Sequence, residues 1–352
     1  MRANVNAILR WFNFGVAGVT FLSYLAPYVS PQQFWPLAFA GLIYPWLLLL
    51  NLLLVVFWIF RKQVIFLLSF LTILLGWNYL AGMVGFSFFR SPDDTGGRLR
   101  VMTFNIHRFQ DSKSKSYLPV GKADWPGILD RYDPDILCLQ EFGFPNQSRN
   151  EILGPIRDVA GLPFRAWTSS QELAIFSRYP VLHTETQLFG RVNGYQYADI
   201  QMPDRIVRVY NVHLQSNAIS GIVDRVVENG DLQEKETWLE IRGAMGRYRR
   251  AARIRAAQAE TLAAQIAKSP YPVILCGDFN DVPPSYTYHT IASGLQDAFL
   301  EAGAGIGITY SGPIPALRID YILADGVFQV LSCRRGGPSF SDHRPVVSEL
   351  SF

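Results

Sequence analysis

Apolar positions run almost unbroken through the first ninety residues and then give way to short apolar runs that end in polar side chains. Uncharged stretches cover Trp11–Val29, Phe34–Phe60 and Val64–Phe89, lengths of 19, 27 and 26 residues, against the ~20 a helix needs to cross a hydrocarbon core. A secretory signal would carry one apolar core of about 7–15 residues and then a cleavage site, which three successive stretches do not match. Buried helices of a water-soluble domain would show a polar face, and "LIYPWLLLLNLLLVVFWIF" shows none. The pattern predicts three transmembrane helices over 1–90. Asn51 and Asn78 would hydrogen-bond between them, and Trp11, Tyr28 and Trp35 stand where aromatic belts form.

"SPDDTGG" at 91–97 has the composition of a linker. Beyond it the runs "RLRVMTFNIH", "PDILCLQE", "LAIFSRYPV", "RIVRVYNVHLQS", "YPVILCGDFND", "LRIDYIL" and "SDHRPVV" have the length and β-branched content of buried strands. Trp125–Tyr132 and Arg247–Lys268 have helical patterns that would cover sheet faces. Residues 98–352 are therefore expected to form an α/β two-sheet sandwich with its site at the strand ends.

Charge sharpens this division. Charged residues make up 17% of the chain and the mean hydropathy is +0.12, against about 25% charged in soluble domains. Residues 1–90 hold Arg2, Arg10, Arg61, Lys62 and Arg90 and no acid; taking these five from the 32 basic residues leaves 27 against 29 acidic, a net −2 for 91–352. The overall +3 belongs to the apolar part, which excludes a strongly basic protein that coats nucleic acid. Arg2, Arg10 and the Arg61-Lys62 turn place the N-terminus in the cytoplasm and everything after Phe89 outside, with Arg90, Arg98 and Arg100 counting against. Cys138, Cys276 and Cys333 lie in apolar strands and are expected as buried free thiols, an odd number that closes no disulfide framework.

The strand ends carry Asn105, Glu141, His213, Asp278, Asn280, Asp320, Asp342 and His343. Carboxylates and carboxamides are the hard oxygen ligands Mg²⁺ prefers. A histidine with an acidic partner supplies a general base near neutral pH. A second histidine and an asparagine can donate to a developing phosphorane charge. A lone Asp or His of this kind is usually an ordinary strand-end polar group; seven such ends in one chain are not.

"TFNIH", "CLQE", "IFSRYPV", "NVHLQS", "GDFND", "RIDYIL" and "SDHRPV" resemble, in order and over nearly all of 98–352, the endonuclease/exonuclease/phosphatase superfamily. That superfamily includes DNase I-like nucleases, inositol-phosphate phosphatases and neutral sphingomyelinases. The resemblance implies a four-layer α/β sandwich and a phosphoester hydrolase using Mg²⁺ or Mn²⁺. It implies that Glu141 is the principal metal ligand, with Asn105 and Asp342 beside the metal. His343 would be the base, oriented by Asp320. Asp278 and Asn280 would position nucleophile and phosphate, and His213 would stabilise the phosphorane or protonate the leaving group.

Arg178 and His107 are candidates to touch the substrate phosphate, a hairpin role being equally open for Arg178. Glu172 is a candidate support for a histidine, and His183 and His289 are expected at the surface. Residues 217–276 are longer than a compact crossover needs. Within them Gln233–Lys268 is predicted helical and carries Arg242, Arg247, Arg249, Arg250, Arg253 and Arg255. That helix presents either a solvated basic face or a surface for anionic headgroups. The seven-residue linker reaches about 25 Å, which would hold a hydrolase against the bilayer. A membrane-associated phosphoester, such as a phospholipid or sphingolipid headgroup diester, is the expected substrate. A nuclease and a catalytically idle membrane scaffold are the alternatives, and nothing in the sequence speaks to oligomeric state.

Overall fold

A computed structural model describes residues 2–87, 97–110, 118, 123–143, 149–167, 172–217, 219, 222–223, 225–226, 230–231 and 234–351. Except for Gly97, the expected linker lies outside these residues.

The apolar region forms helices α1 (Arg2–Ser23), α2 (Pro31–Leu42), α3 (Tyr44–Phe60), α4 (Phe66–Leu75) and α5 (Trp77–Ala81). The three expected transmembrane helices are not continuous. Among the described residues no single helix is long and apolar enough to cross a membrane; α2 and α3 pass together but are bent by 49°. The breaks have local causes. The first stretch leaves its helix at Ser23 for successive turns. Phe34 is non-helical and Pro36 removes a donor inside α2, while Pro45 opens α3 after the bend at Ile43. The third stretch breaks at Gly76, where any Cβ would collide with the Tyr24 ring, and ends in the strand β1 (Val84–Phe86).

This helical layer is inside-out. Asn13, Thr20, Asn51, Ser69 and Thr72 are buried, whereas Trp11, Phe60 and Leu75 are 76%, 82% and 70% exposed. Inside, Asn51 Nδ2 donates to Thr20 Oγ1 at 2.9 Å, Ser69 Oγ to Asn13 Oδ1 at 2.6 Å and Tyr24 OH to the Thr72 carbonyl at 2.8 Å. Globular proteins in water show the opposite distribution. At one end Arg10 donates to Gln63 and Arg61 to Asn6.

The remainder is a four-layer α/β sandwich. One sheet has the order β13 (Gln329–Arg335), β14 (Val346–Ser351), β2 (Arg98–Asn105), β3 (Ile136–Gln140), β5 (Leu173–Ser177), β4 (Phe164–Trp167). The other runs β10 (Leu295–Asp297), β12 (Asp320–Asp325), β9 (Val273–Asp278), β8 (Ile206–His213), β7 (Gly194–Gln201), β6 (Val181–Leu188). The β2–β3 and β8–β9 pairs are parallel and the other pairs antiparallel. Helices α6 (Trp125–Tyr132) and α7 (Arg149–Asp158) cover the first sheet, and α8 (Lys235–Ile266) and α9 (Tyr286–Ala292) the second. Short α10 (Ala298–Ala302) precedes β11 (Ala304–Ile306), which pairs with β1. The three cysteines are buried and free.

The helical layer docks directly on the sandwich. Tyr248 OH on α8 donates to the Ala38 carbonyl at 2.8 Å, and Arg318 Nη2 donates to the Gly82 carbonyl at 3.0 Å. A Cβ on Gly41 would stand 2.4 Å from the Pro284 carbonyl oxygen, so α2 needs a glycine for this approach.

Alternation along the strands sends every second residue between the sheets. There Val101, Cys138, Val209, Cys276 and Ile322 form the apolar core. Toward one end polar residues replace it. Asn211 of β8 is fully buried and donates to the carbonyls of Leu139 (2.8 Å) and Ala174 (2.9 Å) in the opposite sheet. Its Oδ1 accepts from Gln140 Nε2 at 2.6 Å. Replacing Asn211 with Leu is expected to cost about 2–4 kcal/mol, since each buried group left unpaired costs roughly 1–3 kcal/mol. Urea unfolding of the full chain measures it, and a change below about 0.5 kcal/mol, ordinary for a surface site, would refute an inter-sheet clamp.

Candidate active site

One register step beyond this clamp the catalytic candidates converge. His213, Asp278 and Asp320 are lateral partners across β8, β9 and β12, and all three point between the sheets. Asn105, paired with Gln140 across β2 and β3, faces them from the other sheet. Asn105 Nδ2 reaches both Asp278 Oδ2 (3.1 Å) and Glu141 Oε1 (3.3 Å), while its Oδ1 accepts from the His107 backbone N–H at 3.0 Å. The carboxamide thus spans the two sheets and holds two carboxylates in place.

Glu141 follows an inward Gln140, so regular alternation would turn it outward. A left-handed backbone at Glu141 (φ 49°) breaks the alternation, and its carboxylate lies 3.8 Å from His213 Nε2. His107 (φ 45°) and Asn280 (φ 53°) share this conformation, which costs about 1–3 kcal/mol for a residue other than glycine and gathers at functional sites. Asn280 donates through its backbone to Asp278 Oδ1 (2.8 Å) and through Nδ2 to Asp278 Oδ2 (3.1 Å).

His343 and Asp320 form a buried pair, Nδ1 lying 3.0 and 3.1 Å from the two carboxylate oxygens. His343 Nε2 is 3.7 Å from Asp278 Oδ2. Burial works against the imidazolium, but the Asp320 and Asp278 carboxylates outweigh it and hold His343 well above its ordinary pKa. Asp278 is raised to about 6: burial, aided by Asp320, outweighs the opposing pull of His343 and His213. Glu141 moves the other way, because His213, His107 and His343 overcome its burial and lower it. The cluster therefore contains carboxylates and imidazoles whose proton affinities have been driven apart, the condition acid–base work requires.

Two groups of side chains have donors for a metal. Asp342 Oδ1 is buried with no hydrogen-bond partner, 3.6 Å from His107 Nδ1, and the same ring nitrogen is 3.9 Å from Glu141 Oε2. Glu141 and Asp342 thus each approach His107 Nδ1, and both are hard oxygen donors of the kind a divalent cation prefers. Asp278, Asp320 and His343 also offer ligand atoms within 4.8 Å of one another. In that group, however, His343 Nδ1 is already held by Asp320, a bond suited to a base rather than a ligand.

Nine of the ten site candidates from the sequence come together: Asn105, His107, Glu141, His213, Asp278, Asn280, Asp320, Asp342 and His343. Arg178 does not. It ends β5, which is antiparallel to β3, with Leu173 opposite Gln140 and Ser177 opposite Ile136. Arg178 therefore stands at the end of β3 away from Glu141, about 16 Å along the strand. There it pairs with Asp133 (2.8 Å) and Asp135 (3.2 Å). Neither expected role fits: Arg178 is away from the cluster, and it stands in no hairpin, because β5 and β6 belong to different sheets; it instead ties the end of β5 to the segment before β3. Glu172 Oε1 accepts from Arg108 Nη2 at 2.9 Å.

Three supports were not singled out in the sequence. Thr309 Oγ1 accepts from the backbone N–H groups of Ile319 and Asp320, Ser341 Oγ donates to the Asn105 carbonyl, and the Tyr310 ring lies 5.2 Å from that of His343. Only Ser341, inside "SDHRPV", carried a signal. Thr309 and Tyr310 sit in an irregular stretch with no motif.

Comparison with known proteins agrees with this fold. No curated protein matches the chain. Among solved structures, an endonuclease/exonuclease/phosphatase from Bacteroides vulgatus is similar at TM-score 0.51 and 19% identity, covering 73% of this chain and 99% of that one. Truncated Caenorhabditis elegans TDP2 follows at 0.51 and 18%, covering 72% and 98%. An endonuclease/exonuclease/phosphatase from Beutenbergia cavernae gives 0.50 and 19%, covering 72% of each chain. These likenesses establish the fold. Residues 6–83 match a family model known only as a domain of unknown function. Residues 102–343, more than half of the chain, match the model of the Endonuclease/Exonuclease/phosphatase family, and the chain belongs to that family of phosphoester hydrolases.

Proposed function

We propose that this protein is a Mg²⁺-dependent phosphodiesterase acting on phospholipid headgroups at the surface of the membrane that holds its helical layer. One observation carries the reading: the catalytic sandwich is docked on a layer whose polar groups are inside and whose aromatic and aliphatic groups are outside. In water such a layer exposes surface worth about 25 cal/mol per Å²; in a bilayer the same distribution is the favourable one. The layer's Arg10, Arg61 and Gln63 lie at one end, and the docking contacts with the sandwich at Ala38, Gly41 and Gly82 lie on other segments. This supports a basic rim on the cytoplasmic side and the hydrolase on the opposite face.

The chain's own groups divide the chemistry. The neutral ring of His343, oriented by Asp320, takes the proton of the attacking water at Nε2, and Asp320 stabilises the imidazolium that results. Asp278 holds the opposite side of that space, steadied by Asn105 and Asn280. His213, with Nε2 toward the centre, donates to the phosphorane or the leaving oxygen. A divalent cation held by Glu141 and Asp342 would supply charge neutralisation on the phosphoryl oxygens.

With the full chain in phospholipid vesicles and Mg²⁺, headgroup release is expected from the wild type. His343→Ala should lower kcat about 10²–10⁴-fold, the range for a general base. Nicking of plasmid DNA at comparable efficiency would replace this reading with the nuclease one, and silence on both substrates would leave a scaffold. Glu141→Gln should raise the Mg²⁺ concentration for half-maximal rate about 10–100-fold, and an unchanged Mg²⁺ dependence would remove Glu141 from the metal site. In sealed vesicles that expose the catalytic domain, added protease should cut the sandwich and spare the Arg61-Lys62 turn. Cleavage at that turn would reverse the topology.

A further inference from the structure

The long insertion after "HLQS" touches the candidate site through Asn217, whose Nδ2 donates to the Asn280 carbonyl at 3.5 Å, and it also builds a second cavity. Ile219, Ile222, Val223 and Val226 face α8 and the α2–α3 bend across a groove of about 330 Å³, within the ~300–1,000 Å³ of small-ligand sites. Among the described residues all of its lining side chains are apolar or aromatic. The one hydroxyl among them, on Tyr248, is used by the Ala38 carbonyl.

The groove has a direction. Trp238, Ile241, Met245 and Tyr248 recur at helical spacing and share one face of α8, about 15 Å from first to last. Exposure along that face falls from 57% at Trp238 to 1% at Tyr248. At its inner end Tyr248 packs in one apolar cluster with Val282, Leu317 and Ile319, and Tyr310, packed against that cluster, contacts His343. Val282 lies two residues beyond Asn280, and Ile319 immediately precedes Asp320. At its outer end the groove meets Ile43 and Trp46, where α2 and α3 join the inside-out layer. Arg242, Arg247, Arg249 and Arg253 are exposed on the neighbouring faces of α8 and Arg250 on the opposite one. An apolar cleft that continues into the inside-out layer at Ile43 and Trp46 matches a hydrocarbon chain reaching it from that layer.

We infer that this groove holds one acyl chain of the phospholipid whose headgroup the enzyme cleaves, so that the chain positions the phosphodiester at His343. The inference rests on the lipid reading above and adds to it that the enzyme draws part of its substrate out of the bilayer.

The test uses the full chain in nanodiscs with Mg²⁺ and three substrates: a dipalmitoyl phospholipid, its dihexanoyl counterpart and bis-p-nitrophenyl phosphate, which has no chain. Ala244→Trp fills the groove from α8. It should lower kcat/KM for the dipalmitoyl lipid about 100-fold, as expected when several buried methylenes are displaced, and leave bis-p-nitrophenyl phosphate unchanged. Equal losses on all three substrates, or none, overturn the groove's role.

A second measurement does not depend on that variant's folding. A phospholipid with a diazirine in its acyl chain is photolysed on the wild type. Cross-links are expected at Ile241, Ala244 or Met245. Cross-links confined to the outer faces of α1, α3 and α4, in a protein that still hydrolyses the dipalmitoyl lipid, overturn the groove and leave the lipid reading standing. Hydrolysis of bis-p-nitrophenyl phosphate with none of either lipid overturns both.

Discussion

The candidate active site exists only because two sheets are held in one register across the core. Asn105 and Glu141 come from one sheet, His213, Asp278 and Asp320 from the other, and no single strand carries a working pair across the gap. Apolar packing between Cys138, Val209 and Cys276 is non-directional and tolerates small slides. The bonds from Asn211 to the Leu139 and Ala174 carbonyls and to Gln140 do not. They lie immediately below the site, Gln140 preceding Glu141 and Asn211 two positions before His213 on the same face. The arrangement is not optimised for stability alone, because Gln140 Oε1 remains buried without a partner. A well-packed apolar pair would avoid that cost. The polar clamp instead fixes where the two halves of the site meet.

A second constraint acts at the rim. A strand that ends in the core would aim every second side chain at the outer helices, so residues just past the strand ends need a change of backbone hand to face inward. Glu141 and Asn280 make that change with positive φ, as does His107 in the 3-10 turn after β2. Each is also tied down. Glu141 is held by Asn105, Asn280 by Asp278 and the Leu214 carbonyl, and His107 by Asn105 Oδ1. Local strain and local hydrogen bonds are thus paired residue by residue, and the pairs share Asn105 and Asp278.

What could be read from the sequence follows from these facts. Strand-end motifs carry their chemistry locally, so Glu141, His213, Asp278, Asp320 and His343 were identifiable before any tertiary structure. Arg178 shows where such reading fails. It ends a motif strand just as His213 and Asp278 do, but β5 runs against β3, so its end lies at the far edge of the sheet. Strand direction is set by pairing partners elsewhere in the chain. The apolar region fails differently. Composition reports that 1–90 is apolar, yet not the path it takes. That path is set by single residues: Pro36 and Pro45 around the bend, and Gly76 yielding to Tyr24.

The path matters more than the number of helices, because it puts the bend against the enzyme. A straight second helix through Phe34–Phe60 could not place Ala38 and Gly41 on the sandwich while sending Leu52 and Leu53 outward. With a 49° bend at Ile43, α2 seats on α8 and α3 keeps its apolar surface exposed. The sandwich is therefore positioned by direct packing, through Tyr248 on Ala38, Arg318 on Gly82 and β1 on β11, and not by the reach of a linker. A flexible tether fixes only a distance. A docked layer also fixes an orientation, and orientation is what an enzyme needs to present one edge of its sheets to a surface.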